Sequence, residues 1–571
     1  MINFYKIKKL LSAKEKKSLG FLFLYSIINS ILEFLSIGML IPIFTTLLNN
    51  DNHFINQILI LLPFSDLTFY NTITILSLGF FITIFAKNIF SLFFVYTQSK
   101  FIYSLRTRIS NDLFKMYLSQ NYSFFFLKKS SEVLRNINSP INFMMIISNL
   151  ITLMLDTVVI LVLFIFLIII NPKITILLFF TFGVTIFLLY SLWKKRLYTM
   201  GNTKQNLQAD LAKVISENIL SIKEIILYAK ENFFLSIFNK KVNEDAKLTF
   251  RLEIIQQAPK ITLELLVSLM IFLLIVYLSM QNTAKEELIF ILASFSIVAL
   301  RLMPSISRIS QNFQKVKFFS PSIDLLYQEF FSKTVLKKDF IESENKKLKF
   351  TNLMIDSVNY SYNGVKNVFQ NNIDLLINKG DFIGIYGKSG SGKSTFVNLI
   401  TGLLNSSTGN ISLNGLDIKK DLRAWQNMIG YVPQNIYLLD DTISKNIAFG
   451  EEDSKINHDA VKLAAEKSQI NEFIFTLSNK YSSSVGEQGI LVSGGQKQRI
   501  GIARALYKDP EIIILDEATV ALDKKIQSEI MELILKLKTK KTIIIISHDP
   551  EILKYCDKVF SIETNKVISK R

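Results

Sequence analysis

Residues 387–394 read Gly387-Lys388-Ser389-Gly390-Ser391-Gly392-Lys393-Ser394, two glycines with four residues between them and then Lys and Ser. Glycines in that spacing let backbone N–H groups converge on phosphate oxygens, and a helix starting at the second glycine turns its positive end toward them. Lys393 is then placed to reach the β- and γ-phosphates of a nucleotide, and the Ser394 hydroxyl to hold Mg²⁺. The flanks agree with this chemistry. Phe382-Ile383-Gly384-Ile385-Tyr386 reads as a buried strand, and Thr395-Phe396-Val397-Asn398-Leu399-Ile400 as the apolar opening of a helix.

Three further groups follow in order. Ile512-Ile513-Ile514-Leu515 ends in Asp516-Glu517, so a strand tip would carry one carboxylate for Mg²⁺ and a second to polarise an attacking water. Ile543–Ile546 is another apolar strand, ending in Ser547-His548. One of only three histidines at a strand tip reads as a γ-phosphate sensor, against the plainer reading of an exposed loop histidine. Between these lies Val492-Ser493-Gly494-Gly495-Gln496 before Lys497-Gln498-Arg499, a second small-residue loop at a helix start suited to an anion. A chance octet would have no such company.

In this order the elements resemble the ATPase cassette of ATP-binding-cassette transporters, and Ser493-Gly494-Gly495-Gln496 is the loop that separates that family from other phosphate-loop ATPases. The resemblance implies ATP and Mg²⁺ as cofactors. It assigns the phosphates to Gly387, Ser389, Gly390, Ser391, Gly392, Lys393, Ser394 and Thr395, and adenine stacking to Tyr362 in Asn359-Tyr360-Ser361-Tyr362. Mg²⁺ would be held by Ser394, Asp516 and Gln434, the last in Tyr431-Val432-Pro433-Gln434, which would also report to the membrane domain. Catalysis would rest on Glu517, His548, Lys393 and Gln434. Glu487 resembles the coupling loop to the opposite subunit, and Ala521-Leu522-Asp523 the segment that crosses the dimer interface. Val492, Val520 and Ser547 depart from the usual Leu, Ser and Ala, and none of these removes a catalytic group. The likeness covers residues 346–571. In this family ATP is clasped between the phosphate loop of one subunit and the Ser493–Gln496 loop of the other. A dimer is implied, and intact motifs permit two identical copies, with a different half-transporter as mate left open.

The first ~310 residues carry a different composition. Half of the 571 residues are hydrophobic, 47 are Phe, and mean hydropathy is +0.32. A bilayer crossing takes about 20 apolar residues. Six stretches qualify, near 19–48, 71–97, 143–170, 174–192, 262–280 and 288–304. The first is too long for a secretory leader's apolar core and is expected to stay in the mature chain. Lys6, Lys8, Lys9, Lys14, Lys16 and Lys17 precede it. The connection at 49–70 has no Lys or Arg, that at 98–139 has seven, and that at 193–260 has twelve. Basic connections stay cytoplasmic, so both termini and the cassette of this multi-pass protein are expected to face the cytoplasm. The net charge of +18 is then topology and attraction to membrane lipids, not a nucleic-acid surface, because the cations flank spans instead of forming one patch. The single cysteine, Cys556, excludes an internal disulfide.

The expected fold is an α-helical six-span membrane domain (1–330) fused through a charged linker (331–345) to a cytoplasmic α/β phosphate-loop ATPase cassette (346–571). The spans are expected to continue past the bilayer and bend near Asn121–Ser131 and Glu217–Lys230, as in exporter-type transporters, where such bends dock on the cassettes. Charged residues inside spans usually face a cavity or one another; here they are Glu33, Lys87, Asp156 and Glu264. Lys87, Lys260, Arg301 and Arg308 read as a basic strip for an anionic group such as pyrophosphate, or else as cations that pair internally or snorkel. Arg301-Leu302-Met303-Pro304-Ser305, Ser131-Glu132-Val133-Leu134 and Pro259-Lys260 resemble segments of bacterial lipid-linked oligosaccharide flippases, and Phe54–Leu62 resembles their short external helix. The implied activity is ATP-driven flipping of a polyprenyl-diphosphate-linked oligosaccharide by alternating access. The alternative is a peptide, drug or lipid A exporter. An ATP-gated channel is the reading from another class. A soluble chromosome-maintenance ATPase is disfavoured by the apolar spans.

Overall fold

The computed structural model describes residues 4–38, 43, 69–170, 172–280, 285–331, 349–362, 367–388, 390–518, 524–564 and 566–569. Among these the chain forms two compact units, one running to Gln120 and from Phe125 to Phe331, the other starting at Lys349 and also counting Asn121–Phe124. The expected linker at 331–345 and the external helix at Phe54–Leu62 lie outside the described residues, Phe331 apart.

The first unit is helical. Six long helices run Ala13–Gly38 (α1), Phe69–Leu118 (α2), Ser130–Ile170 (α3), Pro172–Leu220 (α4), Glu231–Met280 (α5) and Lys285–Phe319 (α6). Three of them, α2, α3 and α5, contain stretches long and apolar enough to cross a membrane, judged over the described residues. Those three helices, of 50, 41 and 50 residues, run to about twice the ~30 Å hydrocarbon layer or more at 1.5 Å per residue, so each must continue beyond it. The chain turns through two short helices, Phe124–Leu127 between α2 and α3 and Ile222–Leu227 between α4 and α5, at the two bends expected from the sequence. Pro140, Pro259 and Pro304 sit inside helices, which neighbouring helices make tolerable in membrane bundles.

Val159, Leu163, Phe182, Leu263, Leu302 and Ile306 form a shared core of α3–α6. Large apolar side chains such as Leu92, Phe180, Phe187 and Leu192 are exposed by two thirds or more, a surface suited to lipid rather than water. Below the apolar zone the packing turns polar. Glu329, in the helix Pro321–Phe331, accepts from Lys128 Nζ, from the Tyr117 hydroxyl at 2.9 Å and from Asn136 Nδ2 at 3.1 Å. That network ties the first bend to the helix leaving α6.

The second unit has a parallel sheet covered on both faces. Its strands are β1 (Asn352–Asn359), β2 (Ile373–Asn378), β3 (Phe382–Tyr386), β4 (Thr408–Leu413), β5 (Leu416–Asp417), β6 (Ile429–Val432), β7 (Ile512–Asp516), β8 (Thr542–Ile546), β9 (Lys558–Ser561) and β10 (Lys566–Ser569). The large sheet is ordered β10-β9-β3-β8-β7-β6, and β9, β3, β8, β7 and β6 run parallel. A smaller antiparallel sheet is ordered β2-β1-β4-β5. Every residue of β7 and β8 is buried, because alternate side chains feed two cores. Ile513, Leu515, Ile543 and Ile545 enter one, and Ile512, Ile514, Ile544 and Ile546 the other. Burial on both faces is why these strands are unbroken apolar runs.

Candidate nucleotide site

The parallel order β3-β8-β7-β6 places the carboxyl ends of four strands side by side, where open α/β sheets bind ligands. Each tip delivers one of the groups picked out in the sequence. After β3 comes the phosphate loop, and then helix α7 (Lys393–Ile400) begins, with Gly392 as its N-cap at φ 97°. That left-handed conformation requires glycine. A β-carbon there would also strike Phe369 and Val368 at 2.8 Å. Gly387 has ordinary φ, but a β-carbon on it would stand 2.3 Å from Ser391 Oγ, so a side chain there would force Ser391 to move within the loop. Ser389 lies outside the described residues.

Lys393 is buried, and its ammonium bonds the carbonyls of Gly387 at 2.9 Å and Lys388 at 3.2 Å, with Glu517 Oε1 at 3.4 Å. Its neighbours are thus the loop it should serve and the expected base. Glu517 follows β7 at φ 45°, an uncommon conformation for a non-glycine residue, and its N–H bonds the carbonyl of Ile546 at the tip of β8. The adjoining sheet holds that strained turn in place, a pattern concentrated at functional sites. Its other oxygen, Oε2, accepts from Gln434 Nε2 at 2.7 Å. His548 Nδ1 stands 3.6 Å from Oε1. Lys393, Gln434 and His548, remote in sequence, therefore meet on one carboxylate. Ser547, in place of the family's Ala, is buried and its hydroxyl accepts from the Asp549 N–H at 3.0 Å, fixing the turn below His548.

Asp516 is 8 % exposed and accepts from the Tyr431 hydroxyl at 3.2 Å. Burial pushes its carboxyl above the usual range and the charge of Glu517 adds to this, while the Tyr431 hydrogen bond and Lys393 pull the other way. A desolvated carboxylate beside a second one is a site that gains by taking up a cation. Ser391 Oγ is buried without a partner in this arrangement. An unsatisfied hydroxyl in a glycine cradle, next to a cation-hungry carboxylate, fits a magnesium-bound polyphosphate. Ser394 is exposed at the first turn of α7. Tyr362 is 50 % exposed, and its hydroxyl lies 2.9 Å from Thr395 Oγ1, which sets the ring beside the phosphate loop.

The Ser493–Gln496 loop opens helix α8 (Gly494–Leu506) through a capping box. Ser493 Oγ accepts from the Gln496 N–H, and Gln496 Oε1 accepts from the Ser493 N–H at 2.8 Å. Ser493 and Gly494 are exposed while Gly495 packs on Ile526. Lys497 Nζ bonds the Gln488 carbonyl at 2.8 Å, fastening the turn that contains Glu487 to α8. Residues 521–523 lie outside the described residues, as does Val520.

Sequence reasoning missed two residues. Tyr431 stood there only as a flank of Gln434; what brings it to Asp516 is the pairing of β6 with β7, for which the sequence carries no local signal. Arg504 sits near the end of α8, with Nε on the Asn446 carbonyl at 2.8 Å and Nη1 on that of Tyr437 at 2.9 Å, over the Phe449 ring.

Of the cations read either as a basic strip or as internally paired, Arg308 is paired. Arg308 is an ion-pair partner of Asp156, with Nη2 to Oδ1 at 2.6 Å and Nε to Oδ1 at 3.0 Å, and Ser305 Oγ accepts from the same Nη2. The Asp156 side chain is fully buried and that of Arg308 is 47 % exposed. Lys87 is half-buried and Lys260 exposed; the Arg301 side chain lies outside the described residues. A buried carboxylate in an apolar bundle demands a cation, which is why Arg308 is drawn to it.

Comparison with known proteins agrees with the two units. Residues 19–303 match the family model described as the ABC transporter transmembrane region, and residues 370–520 that described as ABC transporter. The chain is 29 % identical over 379 residues to an "ATP-dependent lipid A-core flippase" of Wigglesworthia glossinidia brevipalpis, covering 66 % of this chain and 64 % of that protein. It is 37 % identical over 224 residues to "ABC transporter B family member 24, mitochondrial" of Arabidopsis thaliana, covering 39 % of this chain and 32 % of that one. The chain thus spans under two thirds of the length of these relatives. A solved structure titled "Structure of a bacterial Atm1-family ABC exporter with ATP bound" superposes with TM-score 0.76 over 97 % of this chain and 95 % of that one, at 17 % identity, a likeness of fold. With both units matched by models of one family over more than half its length, this chain belongs to the ATP-binding-cassette transporters.

Proposed function

We propose that the chain is an ATP-driven membrane translocase that works as a dimer of two copies and moves a large amphipathic lipid of the lipid A type. The observation that carries the ATPase reading is the convergence of Lys393, Gln434 and His548 on Glu517 at the edge of the parallel sheet. The observation that favours the substrate is the likeness to proteins named lipid A-core flippases, which spans parts of both units. The polyprenyl-diphosphate glycan is the second reading, resting on the flippase-like segments at 131–134, 259–260 and 301–305.

In this reading each residue has one task. The loop of Gly387, Ser389, Gly390, Ser391, Gly392, Ser394 and Thr395 cradles ATP phosphates with its backbone. Lys393 hands its ammonium from the Gly387 and Lys388 carbonyls to the phosphates, and Tyr362 covers adenine. Ser394, Asp516 and Gln434 hold Mg²⁺, which supplies charge neutralisation for the departing phosphate. Glu517 orients and deprotonates the attacking water, with His548 beside it for the γ-phosphate. Ser493, Gly494, Gly495 and Gln496 of the second copy close over the same nucleotide. Closure of two such sites would drive the long helices from inward- to outward-facing, and hydrolysis would reset them. The cassette and both termini would lie on the cytoplasmic side of the bacterial inner membrane.

The test is ATPase activity in proteoliposomes against a panel of candidate cargoes. Lipid A is expected to raise the rate above that of empty vesicles. A polyprenyl-diphosphate glycan that stimulates while lipid A does not would establish the second reading. Stimulation by amphipathic peptides or drugs alone would displace both. An ATP-dependent ionic current that survives Glu517→Gln would instead mark a gated channel.

A further inference from the structure

We propose that Tyr431 is a positioning residue for the metal site: its hydroxyl pins one oxygen of Asp516 so that the other is presented to Mg²⁺. The inference deepens the ATPase reading above and rests on it.

The geometry begins with strand register. β6 and β7 are parallel, and Tyr431 is paired with Ile514. Asp516 lies two residues beyond Ile514, so by the two-residue period of a strand its side chain leaves β7 on the same face as Ile514. A phenol is long enough to bridge that diagonal, and its hydroxyl donates to Asp516 Oδ2 at 3.2 Å. Three residues later the same segment supplies Gln434, whose Nε2 donates to Glu517 Oε2 at 2.7 Å. One stretch, 431–434, therefore orients both adjacent carboxylates, one through a strand residue and one through the loop after it.

The pin has a physical reason to exist. Asp516 is 8 % exposed, so little water is available to solvate it, and the neighbouring Glu517 charge repels it. An unpinned carboxylate would rotate about its terminal torsion, which is broad and two-fold, and present a metal-binding oxygen only part of the time. The hydroxyl stays a donor, because burial and the Asp516 charge both push its ionisation well above the ordinary phenol value. Phenylalanine would fill the same space between β6 and the core and donate nothing.

The experiment uses the full chain in nanodiscs, in a Glu517→Gln background so that ATP persists, and reads Mn²⁺ binding by electron paramagnetic resonance with ATP present. Tyr431→Phe is expected to weaken Mn²⁺ binding about tenfold, the order of one hydrogen bond to a charged group. ATP affinity measured in EDTA, and the melting temperature without nucleotide, should match the parent. In an Asp516→Asn background the same Tyr431→Phe change should cost nothing more, because the oxygen it orients is no longer a charged ligand. Unchanged Mn²⁺ affinity in Tyr431→Phe overturns the proposal and leaves the ATPase reading standing. Equal loss of ATP affinity in EDTA also overturns it, since that marks general damage to the fold. A parent chain that takes up no Mn²⁺ with ATP overturns both.

Discussion

Glu517 gathers more of the site than any other residue. Its strained backbone, the Lys393 ammonium at 3.4 Å and the Gln434 amide at 2.7 Å all serve to aim one carboxylate. Replacing it by Gln keeps the shape and removes the carboxylate proposed as the base. ATP hydrolysis should fall roughly a hundred- to ten-thousand-fold while ATP binding survives, measured as phosphate release beside equilibrium binding. Gly387→Ala acts differently: its β-carbon would press Ser391 Oγ at 2.3 Å, so nucleotide affinity itself should drop in the same binding assay. Asp516 gives a pH signature. Its carboxyl is held above the usual range in the folded chain, so on acidification it takes up a proton before an unfolded chain would. Its own contribution to stability therefore rises as pH falls through that raised value. Metal binding runs the opposite way, because Mg²⁺ needs the ionised form. Mn²⁺ affinity with ATP should weaken toward mildly acid pH sooner than for an ordinary carboxylate, and Tyr431→Phe should move that midpoint further up.

At the scale of elements, the sequence made the cassette readable because its signals are local. The unbroken apolar runs Ile512–Leu515 and Ile543–Ile546 announce strands buried on both faces, and each ends in residues assigned to the nucleotide in the proposed function. Both helical bends were placed from the length of the two basic connections and the likeness to exporter-type transporters, and the short helices Phe124–Leu127 and Ile222–Leu227 fall within them. Pairing between distant elements was not visible. That β6 lies beside β7, bringing Tyr431 to Asp516, is a matter of sheet order, and no spacing along the chain encodes it. The same holds for Arg308, read as part of a basic strip or as an internally paired cation: its mate, Asp156 of α3, lies 152 residues away. Removing Arg308 would strand a buried charge. Arg308→Ala should lower the thermal stability of the membrane unit toward the lower end of about 3–5 kcal/mol, since Arg308 is half exposed, and adding Asp156→Asn should recover part of it. Ser493→Ala removes the cap of α8 and should cost about 1 kcal/mol in a melt of the nucleotide-free protein.

For the whole molecule, the proposed dimer would have two copies building two composite sites, each with a phosphate loop from one copy and a Ser493–Gln496 loop from the other. Mixed dimers separate this from two self-contained sites. Copies carrying Lys393→Ala and copies carrying Gly494→Asp should each be inactive alone. In a mixed dimer one composite site carries both defects and the other carries none. Co-reconstitution should therefore restore ATP hydrolysis that neither variant shows by itself. Self-contained sites would stay silent in the mixture. Transport belongs to the same scale, because it joins the helical unit to the cassette. The decisive measurement reconstitutes the chain in proteoliposomes with lipid A and follows the leaflet accessibility of that lipid together with phosphate release. The account predicts transfer that starts with Mg²⁺ and ATP, rises with ATP consumed and stops in Glu517→Gln. Transfer that proceeds equally in Glu517→Gln, or brisk hydrolysis with no amphiphile changing leaflet, would contradict it.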